Sequence, residues 1–231
     1  MSTLIEGEGT PLILLHGYGS RKEYFIRQIS YFSRYFKVYA PDFPGVNGPL
    51  PYAFSLEDYS KAFKGFLDEL GCDKCYVLCH SFGARVLLKS LPDERIKKII
   101  FTGAAGLKPR RGIKYFLKIW AYKSIKAIFG QKLAKKVAKK TCSAEYNTLT
   151  PVARESFNKI VNEHLDGKLS YLTVSTLIIH GTKDRETPPY MARRFLKGAK
   201  NGALVFLDGG HFLFVDQPQK FNLIAKEFLL S

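Results

Sequence analysis

Short apolar runs recur along the chain, and each one ends at a turn. Pro11–Leu15 runs into His16-Gly17, and residues 36–40 run into Pro41-Asp42. Uninterrupted runs of this length suit strands of a parallel sheet that is buried on both faces. Between them, Phe25, Ile29 and Phe32 recur at helical spacing within residues 22–34. Ser55 followed by Glu57 and Asp58 marks a helix start, and Leu70-Gly71 marks its end. The same reading predicts a strand over 76–79, a helix over 83–91 and a strand over Ile96–Thr102. Strand and helix alternate, so the fold class expected is α/β, with a mostly parallel sheet and helices on both faces.

The alternation stops at Gly106 and resumes near Val174, with strands predicted over 174–179 and 203–207 and a closing helix over 219–230. The stretch from about 107 to 173 is flanked by strands of one sheet, so it reads as a helical cap inserted into a single domain spanning 1–231. Within it, Ile113, Phe116, Leu117, Trp120, Ala121 and Ile128 share one helical face, wide enough to cover an apolar pocket.

Length and composition agree with one such domain. The 231 residues are 46% hydrophobic and 24% charged, which excludes a disordered tail or a fibrous repeat. No run reaches the roughly 18 apolar residues of a membrane span, and Glu6 and Glu8 stand where a signal peptide would be basic and then apolar, so a cytoplasmic, soluble protein is expected. Four cysteines, three of them within Cys72, Cys75 and Cys79, do not make a disulfide framework. Cys72 and Cys75 form a C-x-x-C with no second pair at zinc spacing, so core thiols are expected and no metal site.

The formal charge of +16 is concentrated: twelve basic residues from Lys108 to Lys140 have no Asp or Glu among them. Like charges so placed repel one another unless an anion is near. The alternatives are a solvated lysine face, an anionic substrate, an acyl-carrier protein or an acidic membrane surface. Nucleic acid is disfavoured, because no nucleic-acid-binding motif accompanies the charge.

Cys79-His80-Ser81-Phe82-Gly83 lies where a strand passes directly into a helix. A serine on that turn is thrust out at the carboxyl edge of the sheet, although Ser81 could instead simply cap the helix that follows. Asp184 follows the next strand but one, His211 follows the last strand, and His16-Gly17-Tyr18-Gly19 closes the first. All of these fall on the side where open α/β sheets place their ligands.

With these landmarks in order, the chain resembles an α/β-hydrolase of the esterase and lipase type over nearly its whole length. HGYG at 16–19, PDFPG at 41–45, CHSFG at 79–83, HGTKD at 180–184 and GGHF at 209–212 carry the likeness. Two departures stand out: Cys79 replaces the usual first glycine of the serine motif, and the sheet is expected to be shortened at its N-terminal edge. The resemblance implies Ser81 as nucleophile, His211 as general base and Asp184 as the carboxylate that orients it. It implies an oxyanion hole from the backbone amides of Tyr18 and Phe82, and no cofactor. Glu186, Asp208 and Asp216 also lie near the acid or the base in sequence, but only Asp184 joins a strand end to the HGxxD pattern. The expected reaction is cleavage of a small carboxylic ester or thioester with an apolar acyl part, through an acyl-enzyme. A carbon-carbon bond hydrolase or lyase on the same triad is one alternative, and a non-catalytic binding protein that uses the basic cap is another.

Overall fold

Strand β2 (Pro11–Leu15) shows how the apolar runs are used. Leu12 and Leu14 enter one hydrophobic layer while Ile13 and Leu15 enter the other, and all four are fully buried. Successive side chains of a strand point to opposite faces, so a strand covered on both sides is apolar at every position. The computed structural model describes residues 1–110 and 150–231. The helix expected over 113–129, the lysine stripe over 132–140 and Cys142 lie outside the described residues.

The remaining strands are β1 (Thr3–Glu6), β3 (Lys37–Pro41), β4 (Cys75–His80), β5 (Ile96–Thr102), β6 (Ser175–Gly181) and β7 (Asn201–Leu207). They form one sheet in the order β1-β3-β2-β4-β5-β6-β7, parallel throughout except for the antiparallel β1–β3 pair. The short N-terminal edge is this four-residue β1, half-buried at best, whose weak apolar signal gave no strand in the sequence reading.

The helices, numbered over the described residues, are α1 (Ile26–Phe32), α2 (Leu56–Leu70), α3 (Phe82–Ser90), α4 (Pro151–Asn162), α5 (Pro189–Gly198), α6 (Leu213–Asp216) and α7 (Pro218–Leu230). One face of the sheet is covered by α2, α3 and α5 through Phe63, Leu67, Leu87 and Phe195; the other by α1, α6 and α7 through Phe32, Phe214 and Phe221. Ser55 and Asp58 form a reciprocal capping box on α2, and Gly71 closes it in the left-handed conformation at φ 58°. Lys22–Phe25, read from sequence as the start of a helix, is a 3₁₀ turn leading into α1.

On its described return, the segment expected as a cap is tied to the body. Ile160, Leu165 and Leu172 are buried in the α2/α3/α5 layer. Arg85 on α3 donates to the carbonyls of Ile160 (3.0 Å) and Glu163 (2.9 Å), satisfying acceptors that the end of α4 leaves open. Arg194 on α5 donates to Lys108 O (2.7 Å) and pairs with Asp166, whose carboxylate also accepts from Lys108 N (3.0 Å). Both ends of the insertion are thereby fixed against the sheet's helices. Among the described residues, no helix is long and apolar enough to cross a membrane.

Candidate active site

Between β4 and α3 the chain turns within one residue. Ser81 has φ 49° and ψ −107°, and it is the only non-glycine residue with positive φ among the described residues. Its side chain makes no cap hydrogen bond to α3, so helix capping does not account for it. Backbone strain of this kind persists only where surrounding contacts impose it. Here Ser81 N donates to Thr102 O (3.2 Å), and Ser81 O accepts from Ala84 N (3.1 Å) and Ala105 N (3.2 Å). Two residues on, a Cβ at Gly83 would come within 2.4 Å of the Leu15 carbonyl oxygen. Only glycine allows α3 to lie this close to β2. Cys79 is fully buried among apolar side chains, and burial pushes its thiol well above the ordinary cysteine range.

The acid and the imidazole come from the neighbouring strand ends. A Cβ at Gly181 would strike the carbonyl oxygens of Gly210 (2.3 Å) and Gly209 (2.4 Å), so the loops after β6 and β7 are in direct contact. Across that contact His211 Nδ1 donates to Asp184 Oδ2 at 2.8 Å. Asp184 is held further by Glu186 N (2.9 Å), Thr187 N (2.9 Å) and Thr187 Oγ1 (2.8 Å). Burial works to raise the Asp184 carboxyl, but the bond and charge of His211 and the two Thr187 donors outweigh it and hold it below the usual aspartate range. Thr187 was not foreseen, although it sits three residues after the aspartate in DRETP.

The other edge of the imidazole is differently engaged. His211 Nε2 lies 3.3 Å from Glu186 Oε2 on an exposed side chain and is not hydrogen-bonded to Ser81 Oγ. Nucleophile and base commonly tighten only with substrate present. Asp208 is exposed and paired with Lys183, so of the nearby carboxylates only Asp184 takes the Nδ1 edge. His80 donates to the His211 carbonyl (3.2 Å), and its ring lies 4.7 Å from that of His211 and 4.9 Å from those of Phe212 and Phe214. Burial, with His211 beside it, lowers His80 to about 3, which keeps it neutral.

Gly17 brings the first turn to the serine: a Cβ there would lie 3.0 Å from His80 Nδ1 and 3.5 Å from Ser81 Cβ. The Gly17 carbonyl accepts from His16 Nδ1 (2.7 Å) and Ser20 N (3.2 Å), while His16 Nε2 accepts from Phe43 N (3.0 Å). In a trans peptide the next N–H points away from that carbonyl, so the neutral His16 ring fixes the direction of the Tyr18 amide. The Phe82 amide opens α3, where helices leave their first donors free. Asp42 steadies the same loops by accepting from Lys22 N (2.8 Å), Lys22 Nζ and Asn47 (2.8 Å).

The His16–Arg21 turn, Phe43, Leu50, Tyr59, Phe82 and Ala153 line a cleft of about 550 Å³, which Ser81, Asp184 and His211 do not themselves line. The Tyr18 side chain, for which no role was expected, donates its hydroxyl to Ala153 O (2.8 Å) and packs 5.2 Å from Phe157, so it ties α4 to the turn. Cys72 and Cys75 are free thiols at the start of β4, outside the cleft; burial, with Cys72 beside it, pushes Cys75 up to about 12.

The model of the alpha/beta hydrolase family matches residues 12–222. The 2-hydroxy-6-oxo-6-phenylhexa-2,4-dienoate hydrolase of Burkholderia cepacia is 23% identical over 97% of this chain and 89% of its own length. Among solved structures, the enol-lactonase from Burkholderia xenovorans LB400 superposes with a TM-score of 0.76 at 19% identity, covering 100% of this chain and 96% of that one. An esterase from Exiguobacterium antarcticum gives 0.77 at 21% identity over 99% and 95%.

Proposed function

The chain belongs to the alpha/beta hydrolase family, and from that premise we propose that it is a serine hydrolase cleaving a small carboxylic ester or thioester through an acyl-enzyme. One observation carries the proposal: Ser81 is held at φ 49° with its side chain free of any capping role, at the strand end next to the Asp184–His211 pair. In this reading Ser81 Oγ attacks the carbonyl carbon as His211 Nε2, swung from Glu186 toward the serine, takes its proton. Asp184 holds the tautomer and stabilises the imidazolium. The amides of Tyr18 and Phe82 receive the oxyanion, a contribution of about 3 kcal/mol per donor in comparable sites. The imidazolium then protonates the leaving group, and water, deprotonated by the same ring, releases the acid. The acyl part occupies the cleft, and the 107–173 segment acts as a cap on a single domain.

A second reading is favoured by the comparisons. Relatives aligned over nearly the whole chain are named as hydrolases of 2-hydroxy-6-oxo dienoates, and the same residues would serve a carbon-carbon bond hydrolysis on such a substrate. For the basic stretch, an acyl-carrier protein or acidic membrane surface is a separate proposal.

The decisive experiment is labelling with a fluorophosphonate, followed by turnover of p-nitrophenyl esters of increasing chain length and of a 2-hydroxy-6-oxo-dienoate. Labelling lost in Ser81→Ala supports the nucleophile, and labelling that persists unchanged sinks it. Faster turnover of the dienoate than of every ester would move the assignment to the second reading.

A further inference from the structure

One wall of the cleft carries a hydroxyl that the proposed reaction does not use. Tyr59, on α2, lines the cleft although the residue is only 2% exposed. Three rings hold its own ring edge-on: Phe82 at 4.9 Å and 86°, Phe54 at 5.3 Å and 70°, and Phe43 at 6.0 Å and 90°. Packing of this kind fixes a ring and therefore the direction of its hydroxyl. That hydroxyl has no hydrogen-bond partner among the described residues, whereas the neighbouring Tyr18 hydroxyl is already engaged by Ala153 O at 2.8 Å. The oxygen itself is not sealed from solvent, so it is free to meet a group that enters the cleft. Burial, reinforced by Tyr18 and Asp58, pushes the phenol well above the ordinary tyrosine range, so it is a donor.

The position of the ring limits what it can reach. Tyr59 leans on the side chain of Phe82, whose amide is one of the two proposed oxyanion donors. A group accepting from Tyr59 therefore belongs to the part of the substrate that continues into the cleft from the reacting carbonyl. Phe43, Val46, Leu50 and Phe82 line the cleft beside it, and the polar side chains on the lining are those of His16, Tyr18, Ser20, Arg21 and Thr150.

We propose that Tyr59 is a specificity-determining residue whose hydroxyl donates to an oxygen within the acyl part, so that the cleft selects ether-, hydroxyl- or carbonyl-bearing acyl groups over hydrocarbon chains of the same length. The inference rests on reading the cleft as the acyl site. A site built to hydrogen-bond a substrate group rejects the analogue lacking it far more strongly than an apolar pocket rejects a missing methylene.

The test uses hexanoic acid and its three analogues with oxygen in place of carbon 3, 4 or 5. Their dissociation constants are measured by calorimetry on Ser81→Ala and on Ser81→Ala/Tyr59→Phe, while wild-type turnover of p-nitrophenyl hexanoate is followed in parallel. One oxa acid should bind Ser81→Ala at least about tenfold more tightly than hexanoic acid, and that ratio should fall to about one in the double variant, as expected on loss of one hydrogen bond. A ratio unchanged by Tyr59→Phe, or no binding of any of the acids, overturns the proposal. Turnover of the ester without oxa selectivity leaves the hydrolase reading standing alone. Oxa selectivity without turnover does the reverse.

Discussion

The Tyr18 hydroxyl donates to the Ala153 carbonyl across 2.8 Å, joining two residues 135 apart in the chain. The residue proposed to offer its amide to the oxyanion is thus also the anchor of α4. Tyr18→Phe removes one hydrogen bond of about 1 kcal/mol and leaves the amide in place. Hydrogen exchange over residues 150–162 should quicken, and kcat/KM for a small ester should fall by about fivefold. Unchanged exchange there would mean that α4 is held by its other contacts alone.

Asp184→Asn should leave the fold intact and lower kcat/KM by up to about 10⁴-fold, because the imidazole loses both its tautomer and its charge partner. Glu186→Gln, which touches the Nε2 edge at 3.3 Å, should keep most of the turnover. Steady-state kinetics of the two variants separate the roles. An inactive Glu186→Gln beside a near-normal Asp184→Asn would reverse the assignment.

Three buried histidines make stability depend on pH above the carboxylate range. Burial lowers His16, His80 and His180, His80 to about 3. The unfolded chain takes up protons below about pH 6.5 while the folded chain does not, so stability falls with acidification from there down toward the folded values, by up to about 1.4 kcal/mol per pH unit for each histidine. Urea midpoints at pH 7.5, 6 and 5 read the slope, and His80→Gln should make it shallower. A flat profile over that interval would contradict the burial of these rings.

Gly83→Ala places a Cβ within 2.4 Å of Leu15 O and should force α3 away from β2. A loss of about 3 kcal/mol, the upper range for overpacking, is expected in chemical denaturation, with turnover lost as well because the Phe82 amide moves with the helix.

If the basic stretch meets an extended anion, reversing Lys132, Lys135 and Lys136 to Glu should weaken binding to anionic vesicles or to an acyl-carrier protein and flatten its salt dependence, since exposed charges are screened over about 8 Å at physiological ionic strength. Turnover of a neutral ester should barely change. Retained binding to both partners would make the stretch a solvated face.

Where a run is mostly apolar and buried, the sequence was legible to the residue: Pro11–Leu15 and Ile96–Thr102 are strands over the predicted bounds, the second despite its exposed Lys97. The helix α5 was missed because Arg193, Arg194 and Lys197 interrupt an apolar stripe of only Met191, Ala192 and Phe195. Asp184 and His211 could be singled out because they occupy strand ends in a fixed order, and the structure brings them within 2.8 Å. The Thr187 donors, the Glu186 contact and the His16 bond to the Gly17 carbonyl depend on how loops face one another. Sequence spacing holds no record of that.

Cys79 turns the floor beneath the serine into a clock. Its thiol is fully buried and its ionisation is suppressed, so an alkylating reagent has neither access nor a thiolate to attack while β4 stays in the sheet. Cys72, half-exposed ahead of the strand, is within the reagent's reach in the folded chain. The rate at Cys79 would therefore time the opening of β4 from the sheet, with the rate at Cys72 as the reference for the folded chain in the same sample.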